Sequence, residues 1–247
     1  MTTNKEEFIL DVPVDILTME EIVSDMGTYF ETGQKMTLTS VNPQILLIAQ
    51  KNDDVKNYLV KSSHRFADGI GLIKLSKWTK GQLTQRIAGI DVMEEALAFA
   101  DAHQKRIFLY GAKPEVVALA AENIQKKYPN LHLAGYVDGY TQRTGEEIVR
   151  QVNDTQADMV FVALGSPKQE NWLSAHIEEM NATVYQTIGG SLDVMSGTVK
   201  RAPDLFIKTN LEWLYRSFSN PKRMNRIFQV PEFIVKALYW NISNRNK

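Results

Sequence analysis

The chain of 247 residues predicts an α/β protein: a mostly parallel sheet with helices on both faces, followed by a basic, aromatic-rich helical appendage at the C-terminus. Three observations carry this expectation. Strand-like and helix-like stretches alternate from residue 36 to residue 188, as in βα units feeding one parallel sheet. The clearest strand stretch, Met159–Leu164, is a continuous apolar run, which suits a strand covered on both faces. From Ser196 onward the composition turns basic and aromatic.

The elements follow in order. After a short extended start, Met19–Phe30 places Ile22, Val23, Met26, Tyr29 and Phe30 at helical spacing. Met36–Ser40 reads as a short strand. Asn42-Pro43 opens a helix to Gln50, because the fixed φ of Pro suits a first helical position. Asp53–Lys61 is a second helix, and His64–Ala67 a strand that stops at Asp68-Gly69-Ile70-Gly71. Arg106–Tyr110 is a strand, Gly111 turns the chain, and Pro114–Lys127 is a helix with Val116, Val117, Leu119, Ala120 and Ile124 inward. Leu131–Val137 and Met159–Leu164 are strands around the helix Gly145–Asn153. The loop Gly165–Gln169 leads into a helix over Glu170–Met180, and the strand Thr183–Ile188 ends at Gly189-Gly190. Such a Rossmann-like sheet binds ligands beyond the carboxyl ends of its strands. The loops at Ser40–Asn42, Asp68–Gly71, Gly111, Gly165–Gln169 and Gly189–Asp193 therefore gather at one rim. Residues 1–197 are expected to form the core and residues 198–247 the appendage.

Composition narrows the chemistry. Hydrophobic residues at 44% and charged residues at 23% fit a sizeable core. With no Cys, disulfides, thiol nucleophiles and thiolate zinc sites are excluded. The four His residues (64, 103, 132, 176) are scattered, no Asp-x-Asp occurs, and neither metal nor cofactor is expected. A dinucleotide glycine fingerprint and a P-loop are both missing, which argues against an oxidoreductase and a P-loop enzyme. Met1–Phe8 has no basic or apolar signal region, and no apolar run approaches the roughly 18–20 residues that span a bilayer. A soluble or peripheral protein is expected.

The charge is unevenly spread. Residues 1–195 carry 18 basic and 26 acidic side chains, whereas residues 196–247 carry 10 and 3. The last 43 residues hold 8 of the 23 aromatics, interleaved with Lys208, Arg216, Lys222, Arg223, Arg226 and Lys236. Pro221 and Pro231 should break this segment into about three short helices. The last, Glu232–Ile242, aligns Phe233, Ile234, Ala237, Leu238 and Ile242 in one exposed apolar stripe. An apolar face with a cationic flank lies well in an anionic membrane surface. Off the membrane, the stripe would favour homo-oligomers. Nucleic acid is not an expected partner, since the acidic body leaves no broad basic surface.

Small and polar residues concentrate at the strand ends: Ser40-Val-Asn-Pro43, Ala67-Asp-Gly-Ile-Gly71, Leu164-Gly-Ser-Pro-Lys-Gln-Glu170, Gly189-Gly-Ser-Leu-Asp193 and Gly197-Thr-Val-Lys-Arg-Ala-Pro203. With Leu211-Glu-Trp-Leu-Tyr-Arg216 and Asn220-Pro-Lys-Arg-Met-Asn-Arg226, these seven colinear motifs resemble the WecG/TagA/CpsF glycosyltransferase family, most of all its teichoic-acid branch. The resemblance implies inverting, metal-independent transfer of N-acetylmannosamine from a UDP-sugar donor to the 4-hydroxyl of undecaprenyl-diphospho-GlcNAc. That acceptor is a lipid-linked GlcNAc, so the resemblance also implies a cytoplasmic protein peripheral at the inner face of the plasma membrane. Relatives use N-acetylmannosamine, its uronic acid or other hexoses, and no residue here separates them by first principles. A non-catalytic nucleotide-sugar binding module stays open as a second class.

The resemblance also assigns residues. Asp68 becomes the base that takes the acceptor proton; by itself it would read equally as a solvated turn residue. Ser40, where the family has Thr, and Asn42 become sugar contacts, although both types commonly cap helices. Arg86 is placed near the reacting sugars, and the amide of Gln169 on a sugar hydroxyl or phosphate. Glu170 is expected to cap the following helix, as is Asp91. Gly111, Gly165, Gly189 and Gly190 are read as close approaches of backbone to the nucleotide, a role ordinary turns imitate. Asp193 is a uracil or ribose contact, with Tyr136 and Asp138 bordering that pocket. Arg216, Arg223 and Arg226 close over the site and bring charge to the diphosphate, for which the planar guanidinium is suited.

Overall fold

The chain opens with a hairpin where the residue pattern shows only an extended start. In the computed structural model, which describes residues 5–203, 205, 206, 209, 215 and 225–244, β1 (Glu6–Ile9) pairs antiparallel with β2 (Val12–Asp15). Leu10 and Asp11 both take positive φ, 53° and 59°, as a tight hairpin turn requires. A capping box of Thr18 and Glu21 starts α1 (Met19–Thr32). Then come β3 (Met36–Val41), α2 (Pro43–Ala49), α3 (Asp53–Lys61) and β4 (His64–Ala67), close to their predicted bounds.

Of the two helices between β4 and the next strand, the residue pattern marked only the second, through the cap expected at Asp91. α4 (Ile70–Thr79) begins directly behind Gly69, and α5 (Gly89–Ala102) begins two residues before Asp91. Asp91 consequently sits within the first turn of α5 and does not cap it; its carboxylate is paired with Arg201.

β5 (Arg106–Gly111), α6 (Pro114–Lys127), β6 (His132–Val137), α7 (Gly145–Asp154) and β7 (Met159–Ala163) continue the alternation. On α6 the inward residues are Val116, Val117, Ala120, Ala121 and Ile124, while Leu119 is 39% exposed, just off the buried stripe. α8 (Lys168–His176) starts two residues earlier than predicted and gives way to a single 3₁₀ turn, Ile177–Glu179. β8 (Val184–Thr187) and α9 (Ser191–Met195) complete the core. The last described helix, α10 (Asn225–Asn244), runs through Pro231 without the expected break.

The sheet order is β4-β3-β8-β7-β5-β6, with every neighbouring pair parallel. Alternation along the strands sends side chains into two apolar layers. Phe108, Tyr110, Val160, Val162 and Tyr185 join α2, α3, α7 and α8 on one face. Ile107, Leu109, Met159, Phe161 and Val184 meet α1, α5 and α6 on the other. Burial of each such side chain contributes about 1.5–3 kcal/mol, which is what the continuous apolar runs encode.

α10 belongs to the first layer. It lies against α2 and α4, burying Phe233 and Ala237 completely, with Ile234 and Leu238 partly covered. This packing offsets the backbone hydrogen bond that Pro231 removes. The stripe read from the sequence is thus largely an inner face. A second apolar row, Val235, Tyr239 and Ile242, faces outward at 65–74% exposure.

Candidate active site

The carboxyl ends of β3, β4, β7 and β8 surround one cavity of about 670 Å³. Helices α4 and α10 supply its remaining wall through Lys74, Trp78, Gln229, Val230 and Ile234. The rim expected from a parallel sheet is therefore where the space is.

Asp68 directly follows β4, its backbone N–H bonded to the Val41 carbonyl at 2.7 Å. Its side chain is 26% exposed and reaches the cavity, so the carboxylate is neither sealed in the core nor turned away. Several donors converge on it. Ser40 Oγ donates to Oδ2 at 2.9 Å, the Gly89 N–H at the start of α5 approaches the same oxygen at 3.3 Å, and Arg86 Nε stands 3.6 Å from Oδ1. Arg86 belongs to the segment without regular structure before α5, and its side chain is mostly buried. A hydroxyl, a backbone amide and a guanidinium thus orient one carboxylate toward open space, the arrangement a positioned proton acceptor needs.

Asn42 does two things. Its Oδ1 accepts the Ile45 N–H at 3.1 Å and caps α2, while the residue also lines the cavity. Gln169 is buried, and its side-chain oxygen accepts the N–H groups of Gly165 and Gly189 at 3.1 and 3.2 Å. Its amide nitrogen donates to Glu170 at 2.8 Å. Gly165, Gly189 and Gly190 line the cavity. Gly111 stands outside the lining; a Cβ there would lie 2.4 Å from the Ala163 carbonyl carbon, at a φ of 121°, so the glycine permits the close packing of β5 against β7. Asp193 is in the first turn of α9, where its carbonyl accepts the Val199 N–H and the hydroxyls of Ser196 and Thr198. Tyr136 and Asp138 lie at the end of β6 and are not in the lining. Arg216 and Arg223 fall outside the described residues, as does the side chain of Arg226.

Several lining residues were missed in the sequence. Glu170 is not a cap: it is buried in the cavity wall, accepting hydrogen bonds from Ser166 Oγ and Gln169. Burial drives its pKa above the ordinary carboxylate value, against the lowering effect of those bonds. Lys74 and Trp78 come from α4, where their four-residue separation was the available signal for a shared face. Among the described residues, no three His, Asp or Glu side chains gather as metal ligands.

This chain belongs to the WecG/TagA/CpsF family of glycosyl transferases, whose family model matches residues 8–247. Curated relatives give a finer likeness. A Bacillus subtilis (strain 168) protein named N-acetylglucosaminyldiphosphoundecaprenol N-acetyl-beta-D-mannosaminyltransferase is 43% identical over 211 residues, covering 85% of this chain and 82% of that protein. A Staphylococcus aureus (strain MW2) protein of the same name is 36% identical over 230 residues, covering 92% and 90%.

Proposed function

We propose that this protein transfers N-acetylmannosamine from UDP-N-acetylmannosamine to the 4-hydroxyl of undecaprenyl-diphospho-GlcNAc, a step in building the linkage unit of teichoic acid. The carrying observation is Asp68, held at the cavity edge by Ser40, Gly89 N–H and Arg86. The names of the two relatives support the donor sugar and the acceptor.

In this reading Asp68 removes the proton from the acceptor hydroxyl as its oxygen bonds to the anomeric carbon. The bond from that carbon to the β-phosphate oxygen breaks, and its electron pair leaves with UDP. One displacement converts an α-linked nucleotide sugar into a β-linked product, so the configuration inverts. Negative charge growing on the leaving diphosphate is met by Arg86 and Lys74, by rim N–H groups, and by Arg216, Arg223 and Arg226 of the tail, without a protein-held metal. Ser40 and Asn42 hold sugar hydroxyls beside Asp68. Gly165, Gly189 and Gly190 bring backbone to the nucleotide, Asp193 contacts the uridine, and Gln169 keeps the rim loops in place. The C-terminal segment docks on the inner leaflet. Support for docking comes from the outward row Val235, Tyr239 and Ile242 together with the exposed Trp78 at the cavity. No helix among the described residues is long and apolar enough to cross a membrane.

Incubation of the purified protein with a panel of UDP-sugars and a short-chain lipid-diphosphate GlcNAc, read by mass, tests the assignment. A product heavier by one N-acetylhexosamine, formed from the manno donor and not the gluco donor, is expected. Exclusive use of a uronic acid or a plain hexose would overturn the donor.

A further inference from the structure

One buried acid in the cavity wall takes no part in the chemistry above. Glu170 is 2% exposed, and both of its described side-chain hydrogen bonds arrive at the same oxygen: Ser166 Oγ donates to Oε1 at 2.9 Å and Gln169 Nε2 at 2.8 Å. Oε2 is buried and has no hydrogen-bond partner among the described residues. An ionised carboxylate has two equivalent acceptor oxygens, and leaving one buried and bare is costly. A neutral acid has one carbonyl oxygen with two lone pairs, here filled by two donors, and one hydroxyl oxygen. A bare neutral hydroxyl costs less than a bare charged oxygen, so the pattern of bonds favours the second form, with the proton on Oε2.

The bond to Gln169 reaches the rim. The Gln169 oxygen ties the N–H of Gly165, after β7, to the N–H of Gly189, after β8. An amide flip would break both bonds and face its nitrogen toward two other donors. Glu170 opposes that flip by accepting from Nε2.

We propose that Glu170 is a positioning residue acting as an uncharged acid: it orients the Gln169 amide and thereby sets the separation of the Gly165 and Gly189 loops that hold the donor nucleotide. The inference rests on reading the cavity as the donor site. Tyr58 of α3 lies within electrostatic reach of Glu170, and burial, the main cause, raises its pKa so that it stays neutral. Glu146 of α7 faces His176 at the far end of α8. Asp68, Arg86 and Lys74 share the cavity wall. The raised folded-state pKa of Glu170 means that its stabilising contribution is complete below the unfolded carboxyl value and is lost as pH rises toward the folded value.

Thermal unfolding and UDP affinity of the full-length wild type, Glu170→Gln and Glu170→Ala, measured over about pH 5–9, form the test. Glutamine keeps an oxygen for both donors and cannot ionise. The wild-type Tm is expected to fall relative to Glu170→Gln by roughly 3–5 °C per pH unit within the window between the two pKa values. With rising pH, UDP binding by the wild type should weaken relative to that by Glu170→Gln. Glu170→Ala should bind UDP about tenfold more weakly, with Glu170→Gln restoring affinity. Parallel Tm curves for wild type and Glu170→Gln, or wild-type affinity in Glu170→Ala, would overturn the proposal. Should Glu170→Ala not fold, the wild-type and glutamine curves still decide. Neither readout needs turnover: failure of the wild type to bind UDP would count against the donor-site reading, while the melting curves judge Glu170 separately.

Discussion

Asp68 owes its orientation to neighbours far away in sequence: Ser40 from the end of β3 and Gly89 and Arg86 from the approach to α5. A Ser40→Ala variant removes one hydrogen bond to a charged group, worth about 1.5–3 kcal/mol. Expected is a fall in kcat of roughly 10–100-fold with a smaller rise in donor KM from the lost sugar contact, measured in steady-state assays with the lipid acceptor. The strand-end position of Asp68 and the small residues around it were legible because a parallel sheet sends its loops to one rim. Glu170 was not legible, since a Glu in the first turn of a helix reads as a favourable surface charge and nothing local discloses burial. Gly111 shows the same limit: its φ is visible as a turn signal, but the reason only glycine fits is the Ala163 carbonyl on another strand.

Helices α4 and α10 make the difference between a sheet edge and a walled cleft. Their starts were hidden: Gly69-Ile-Gly71 looks like the continuation of a turn and conceals α4, and Pro231 looks like a helix stop, so only the Glu232–Ile242 part of α10 was read from its residues. Tertiary packing overrides both signals, because α10 buries Phe233 and Ala237 against α2 and α4. The strands were easier, since an apolar run such as Met159–Ala163, buried along its whole length, has only one comfortable place in the molecule. Phe233→Ala should cost about 3–5 kcal/mol of the packing of this helix. Limited proteolysis is expected to release the C-terminal segment faster from this variant, and sugar transfer should drop more than UDP affinity if, as proposed, the β7 and β8 loops hold the nucleotide. Unchanged proteolysis would show that α10 is held by other contacts.

Charge and apolar surface are divided along the chain, with an acidic body and a tail of 10 basic against 3 acidic residues. The division was legible directly, whereas the outward row of Val235, Tyr239 and Ile242 became visible only once the inner face of α10 was known. Co-sedimentation with vesicles containing about 30% anionic lipid should bring the protein down at low salt, and far less of it at 0.5 M salt or with neutral lipid. A joint Val235→Ser and Tyr239→Ser variant should stay in the supernatant without losing its fold. Equal sedimentation of this variant would place the membrane contact elsewhere. Docking of this kind would present a lipid-borne hydroxyl to the Asp68 carboxylate at the cavity. The most direct measurement is therefore the rate of N-acetylmannosamine transfer by Asp68→Asn, in a preparation whose melting temperature and UDP affinity match the wild type. A loss of about 10²–10⁴-fold is expected of a missing general base; turnover within a few-fold of the wild type would contradict that role for Asp68.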